Sequence, residues 1–99
     1  MNTPKETNSS QLRGYRTLLA LFGHEITGIE CQELAKQLES SRGTVHRDLS
    51  TLQKAGLAEQ LPNKNWRITP LIGRQAIKML NHIQETQQRV DETIARYTR

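Results

Sequence analysis

Apolar residues recur at helical spacing in four segments, and a short hairpin-like pattern stands between the third and the fourth. The most informative run is residues 40–57. Val45, Leu49 and Leu52 form one apolar stripe, while Arg42, Thr44, His46 and Arg47 fall off it in the first turns. Ser40 or Ser41 suits the helix start, because a hydroxyl accepts a hydrogen bond from an otherwise orphan backbone N–H. Gly56 suits the left-handed residue just past the end. The pattern predicts one helix with a buried stripe and a cationic N-terminal end.

The rest of the chain reads around that helix. Residues 1–9 are polar with one proline, the composition of a disordered arm. Leu12, Tyr15, Leu18, Leu19 and Phe22 then fit a helical face, capped by Ser9 or Ser10 and ended by Gly23, with Arg13 and Arg16 as solvated charge on the polar side. Residues 23–29 hold two glycines and form a connection, from which Ile29 can pair as a short strand with a later hairpin. A second helix is expected over residues 30–38, with Leu34, Ala35 and Leu38 inward. Its cap is either a Thr27–Glu30 capping box or a later residue working with Glu33. Residues 39–41 are a short turn into the helix described first, which gives helix, turn, helix. Residues 57–61 and 66–69 read as two strands around turn chemistry at residues 62–65, with Trp66 and Ile68 on one face.

Pro70, behind a capping Thr69, fits the first turn of a last helix running nearly to the C-terminus. Ala76, Leu80, Ile83, Gln87, Val90, Ile94 and Tyr97 recur at spacings of four and three, a heptad seam of about three heptads. Ile72, Ala76, Met79 and Leu80 are expected to pack back on the domain. The seam of Leu80, Ile83, Gln87, Val90, Ile94 and Tyr97 is the expected dimerisation surface, with Gln87 as a polar interruption that fixes register.

Composition narrows the functions. The chain has 99 residues, 34% of them hydrophobic, and a formal net charge of +4. That allows a small helical domain and favours a polyanionic partner. Cys31 is the only cysteine, so an internal disulfide or a cysteine metal cluster is excluded, and its expected place is half-buried on a helix. No apolar run spans a membrane and residues 1–9 lack a signal-peptide core, which leaves a cytoplasmic protein as the expectation. There is no glycine-rich phosphate loop and no nucleophile elbow, and His24, His46 and His82 fall in unrelated segments. The expectation is a protein that is no enzyme, with no cofactor, no metal and no small-molecule effector.

Three stretches together resemble the winged helix-turn-helix of IclR-type regulators. These are residues 33–38, residues 43–57 with the run Gly43-Thr44-Val45-His46-Arg47-Asp48-Leu49, and residues 66–70. Arg47-Asp48-Leu49 is also similar to the DeoR-type helix, and the second wing strand to MarR-type proteins. Glu39 departs from the pattern, since glycine is common at that turn, and the expectation is a winged domain without an effector domain after the wing. The implied fold class is mainly α with a small β-hairpin: an arm (residues 1–9), a winged helix-turn-helix (10–70) and a long dimerisation helix (71–99).

The resemblance implies double-stranded DNA as partner, read in the major groove, by a small dimeric transcriptional regulator. An arginine bonds bidentately to guanine, and hydroxyls at a helix N-terminus bond phosphates. Ser40, Ser41, Arg42, Gly43, Thr44, His46 and Arg47 are therefore the candidate recognition residues, and Asn63, Lys64, Asn65 and Arg67 the candidate wing contacts. Two rivals share the pattern: a winged helix that docks other proteins in a larger assembly, and a non-specific DNA-binding replication, partition or architectural factor.

Overall fold

The computed structural model describes residues 7–98. The elements are α1 (Ser9–Ala20), α2 (Cys31–Gln37), α3 (Arg42–Lys54), β1 (Ala58–Gln60), β2 (Trp66–Ile68) and α4 (Pro70–Thr98). Most of the arm expected over residues 1–9, namely residues 1–6, lies outside the described residues. Asn8 caps α1 by accepting from the Gln11 N–H at 3.0 Å, so neither Ser9 nor Ser10 is the cap.

A single core forms where α1, α2, α3 and the hairpin meet. It holds Leu21, Ile29, Cys31, Leu34, Ala35, Val45, Leu49, Leu52, Ala58 and Trp66. The stripe Val45–Leu49–Leu52 thus faces inward as its spacing predicts. β1 and β2 pair antiparallel, Gln60 opposite Trp66, and Ile29 adds a single bridge through mutual 2.8 Å backbone bonds with Trp66. Gly28 lets that bridge form. Its φ is +73°, and a Cβ there would stand 2.9 Å from both Leu61 Cδ1 and Asn65 Cβ.

Both helices of the motif end in the same way. After α3, Gly56 N–H bonds Gln53 C=O and Leu57 N–H bonds Leu52 C=O, a Schellman end with Gly56 at φ +80°. After α2, Glu39 and Ser40 bond back to Lys36 and Ala35 in the same geometry, but the left-handed residue, at φ 52°, is Glu39. A Cβ in that conformation costs about 1–2 kcal/mol. Glu39→Gly is therefore expected to stabilise the domain by about 1 kcal/mol, after the larger unfolded-state entropy of glycine is set against the relieved strain. A urea midpoint equal to or lower than wild type would refute this.

Three expectations are corrected. The capping box at α2 does not form: Glu30 occupies the cap position without a side-chain bond. The apolar residues of α1 do not share one buried face. Thr17, Leu18 and Leu21 turn to the core while Tyr15, Leu19 and Phe22 point outward, because at about 100° per residue the two sets centre about 120° apart around the helix. Thr17 is fully buried, its hydroxyl donating to Arg13 C=O.

The third correction concerns α4. The hairpin fixes its starting direction, since Thr69 N–H bonds Leu57 C=O, and a straight helix cannot turn back. Leu71 and Ile72 are half-buried, but every residue from Gly73 to Ile94 is exposed, including Ala76, Met79 at 59% and Leu80 at 53%. The Cα radius of gyration is 19.2 Å, against about 13 Å for a compact chain of this length, because α4 projects.

Candidate nucleic-acid interface

The start of α3 is built by its cap. Ser41, the second of the two candidate serines, accepts from Thr44 N–H at 3.2 Å and donates its own proton to Thr44 Oγ1 at 2.8 Å. Arg47 Nη2 also donates to Thr44 Oγ1, at 3.4 Å. Thr44 is thus half-buried inside the cap network, and Arg47 lies along the first turn with its charge exposed. Ser40 is half-buried and its N–H closes the preceding turn. The amides of Arg42 and Gly43 belong to the first turn, where an α-helix offers no internal acceptor. Nothing inside the chain requires glycine at position 43, as a Cβ there would meet no atom within 4 Å. A glycine in the first turn therefore keeps the outer approach to the helix end clear.

An open polar groove of about 440 Å³ lies beside this end. Arg42 and His46 form one wall, the N-terminus of α2 a second, and Asn63, Lys64 and Asn65 of the wing the third, with Trp66 in the floor. His46 stands edge-on to Trp66, ring centroids 6.1 Å apart and planes at 85°, so the core tryptophan supports the exposed imidazole. Arg42 and Arg47 are five residues apart and diverge by about 140° around the helix. Arg42 thus borders the groove while Arg47 points to the opposite flank.

The wing is only partly available. Asn63 Oδ1 accepts from Asn65 N–H, Asn65 Nδ2 donates to Thr27 C=O, and Gln60 Nε2 donates to Lys64 C=O. Lys64 itself, at φ 75° on the tip, is exposed and cationic. Arg67 faces away from the groove because strand residues alternate. It donates to Ile26 C=O at 2.9 Å and pairs with Glu59 at 3.6 Å, so it ties the hairpin to the loop before α2.

Charge also fixes α3 from behind. Arg13, read from sequence as solvated, makes a bidentate pair with buried Asp48: Nε to Oδ2 at 2.7 Å and Nη2 to Oδ1 at 2.9 Å. The hydrogen bonds and the carboxylate charge raise the Arg13 pKa further above its ordinary value. Cys31 donates to Arg42 C=O at 3.6 Å, and burial pushes its thiol pKa up, with the nearby Arg42 charge opposing. The protonated thiol thus holds the first residue of α3. Glu30, Gln32 and Gln60 also line the groove. No linear pattern marks them, since they come from two segments, the start of α2 and the end of β1, that only the fold brings together. Among the described residues, no three His, Cys, Asp or Glu side chains gather where they would hold a metal ion, and no helix is long and apolar enough to cross a membrane.

A helix-turn-helix followed by a two-stranded hairpin is a winged helix-turn-helix, and that is the class of this domain. Residues 17–62 match the family model of the IclR helix-turn-helix domain, to which this segment is similar. No curated protein matches the chain. Among solved structures the chain is similar to a single-substitution mutant of ZitR from Lactococcus lactis. The TM-score is 0.48 at 17% sequence identity, over 93% of this chain and 63% of that one. The chain thus spans less than two thirds of that structure's length.

Proposed function

We propose that this protein binds double-stranded DNA sequence-specifically, as a dimeric transcriptional regulator that reads the major groove with the N-terminal end of α3. The observation that carries this reading is the exposed first turns of α3. Arg42, His46 and Arg47 project there, two amides lack internal acceptors, and the clear approach at Gly43 lies beside a polar groove walled by Lys64. Such an end meets base edges with its arginines and phosphates with its amides and hydroxyls. One arginine borders the groove and the other the opposite flank, which fits one base contact and one phosphate contact. Ser41 and Thr44, bonded to each other, set the helix end, while Lys64 and the Asn63 and Asn65 amides follow the neighbouring backbone. Arg67 supports the wing from its far side. Two copies related by a two-fold axis read half-sites spaced by about 10 bp or a multiple.

The test is fluorescence anisotropy on a random duplex and on selected duplexes, across a salt series, for wild type and Arg42→Ala/Arg47→Ala. Counterion release gives a log–log slope of about −0.9 per phosphate contact, which flattens in the double variant. Arg47→Ala alone is expected to cost at least about 1 kcal/mol. No binding at low salt would transfer the domain to protein docking. Equal affinity for random and selected duplexes would make it a non-specific DNA-binding factor.

A further inference from the structure

The groove beside α3 carries Arg42 on one wall and Lys64 on the wing, and Glu30, at the start of α2, is the single carboxylate among its lining residues. A carboxylate is out of place on a surface that meets a polyanion, and no structural duty accounts for it. Glu30 occupies the cap position of α2, yet its side chain makes no cap bond. Glu33 already supplies the acidic residue of the first turn, where the helix dipole favours one. Glu30 is exposed, and among the described residues it makes no ion pair, with Arg42 or with any other cation. Its backbone, by contrast, is held from both sides. Ile29 is bridged to Trp66, and Cys31 donates to Arg42 C=O at 3.6 Å. The fold thus fixes a free carboxylate close to the first residue of α3.

We propose that Glu30 is a specificity-determining residue, which accepts a hydrogen bond from the N4 amino group of a cytosine while Arg42 takes a neighbouring guanine. This rests on the DNA reading above and deepens it. An ionised carboxylate only accepts hydrogen bonds. Phosphate oxygens offer it no donor, so Glu30 opposes the backbone contacts that every sequence shares and that supply non-specific binding. An unpaired charge set against the wrong partner discriminates as well as a contact made to the right one. In the major groove the donors on base edges are cytosine N4 and adenine N6. Arg42 decides between them. A G·C pair shows the two guanine acceptors, O6 and N7, beside the cytosine amine, so a guanidinium and a carboxylate on adjoining walls match its two sides. An A·T pair places single acceptors, N7 and O4, on either side of the adenine amine and gives Arg42 no bidentate partner. The other polar side chains near Glu30 are neutral: Gln32 is exposed, and Gln60 is engaged with Lys64 C=O.

The test uses the full chain, as wild type, Glu30→Ala and Glu30→Gln, in fluorescence anisotropy at one salt concentration. The probes are a random duplex, a duplex selected from a random pool by the wild type, and copies of the selected duplex with one G·C pair at a time replaced by A·T. Both variants are expected to bind the random duplex at least about threefold more tightly, because a charge facing phosphate is gone. For the wild type, one replacement is expected to cost at least about fivefold, and Glu30→Ala should be indifferent to that same replacement. Glu30→Gln keeps an acceptor without the charge and should retain part of the preference, which carries the test should the alanine variant not fold. Variants that gain equally on random and selected duplexes, with every base preference kept, would overturn this inference alone, leaving Glu30 as plain repulsion. So would variants unchanged on both, which would put Glu30 outside the interface. A wild type that binds no duplex, or binds random and selected duplexes equally, would overturn the sequence-specific reading as well.

Discussion

Trp66→Ala should lower the stability of the winged domain by about 3–5 kcal/mol, the usual cost of emptying a large buried aromatic site. A domain of this size has only about 5–15 kcal/mol in total, so much of the variant is expected to be unfolded at physiological temperature. Trp66 is 2% exposed and stands where three parts of the fold meet. Its backbone carries the bridge to Ile29, its side chain fills the core under the hairpin, and its ring supports His46 beside the candidate groove. The chain holds no second tryptophan, so circular dichroism rather than fluorescence follows unfolding. A fall of at least about 12 °C in Tm is expected, at about 4–8 °C per kcal/mol for a domain of this size. Trp66→Phe keeps much of the volume and should lose less than half as much. A Trp66→Ala variant melting within a few degrees of wild type would show that the wing is not seated through this residue. DNA affinity should fall beyond the loss of folded protein, because the residual native fraction holds His46 without its support.

The motif itself was legible because it is local. The periodicity of Val45, Leu49 and Leu52, the glycine after α3 and the serine before it each act within a few residues. So does the left-handed turn at residue 39, where the departure from glycine is visible in sequence and the φ of Glu39 shows its cost. The bridge of Ile29 to the hairpin was legible for a different reason: a lone β-branched residue between a glycine and a helix has little other use. What sequence hid depends on partners far along the chain. The Arg13–Asp48 pair spans 35 residues, and no pattern marks Arg13 as different from Arg16. Arg67 reads as a wing-tip cation, yet strand alternation turns it toward Ile26 and Glu59. The apolar periods of α1 and α4 show that each helix has something to cover but not what covers it. The period of α1 predicts one shared face and that of Ile72, Ala76, Met79 and Leu80 predicts packing on the domain, yet much of both is exposed within one chain.

Replacing Ile83 and Val90 by lysine should separate the two copies and reveal how much of DNA affinity is cooperative. Both residues lie on the exposed face of α4, 53% and 47% open, so the double variant should melt within a few degrees of wild-type monomer. Buried in a dimer, each lysine would instead carry an unpaired charge into the apolar seam, a cost that two opposing copies double. Gln87 between them is already satisfied within its own helix, donating to Asp91 Oδ1 at 2.9 Å. In the proposed dimer it would weaken the seam without disrupting the helix, and Ile83 and Val90 on either side would supply the adhesion. Light scattering should give a dimer for wild type and a monomer for Ile83→Lys/Val90→Lys. On a duplex with two half-sites, linkage raises affinity by about 10²–10⁴ through effective concentration. The double variant should lose most of that factor, while its affinity for a single half-site stays within about twofold, since each domain keeps its own phosphate contacts. Equal losses on single and double half-sites would mean that the substitutions damage the domain. An unchanged affinity on both, with wild type monomeric, would mean that each winged domain acts alone and that α4 serves a different partner.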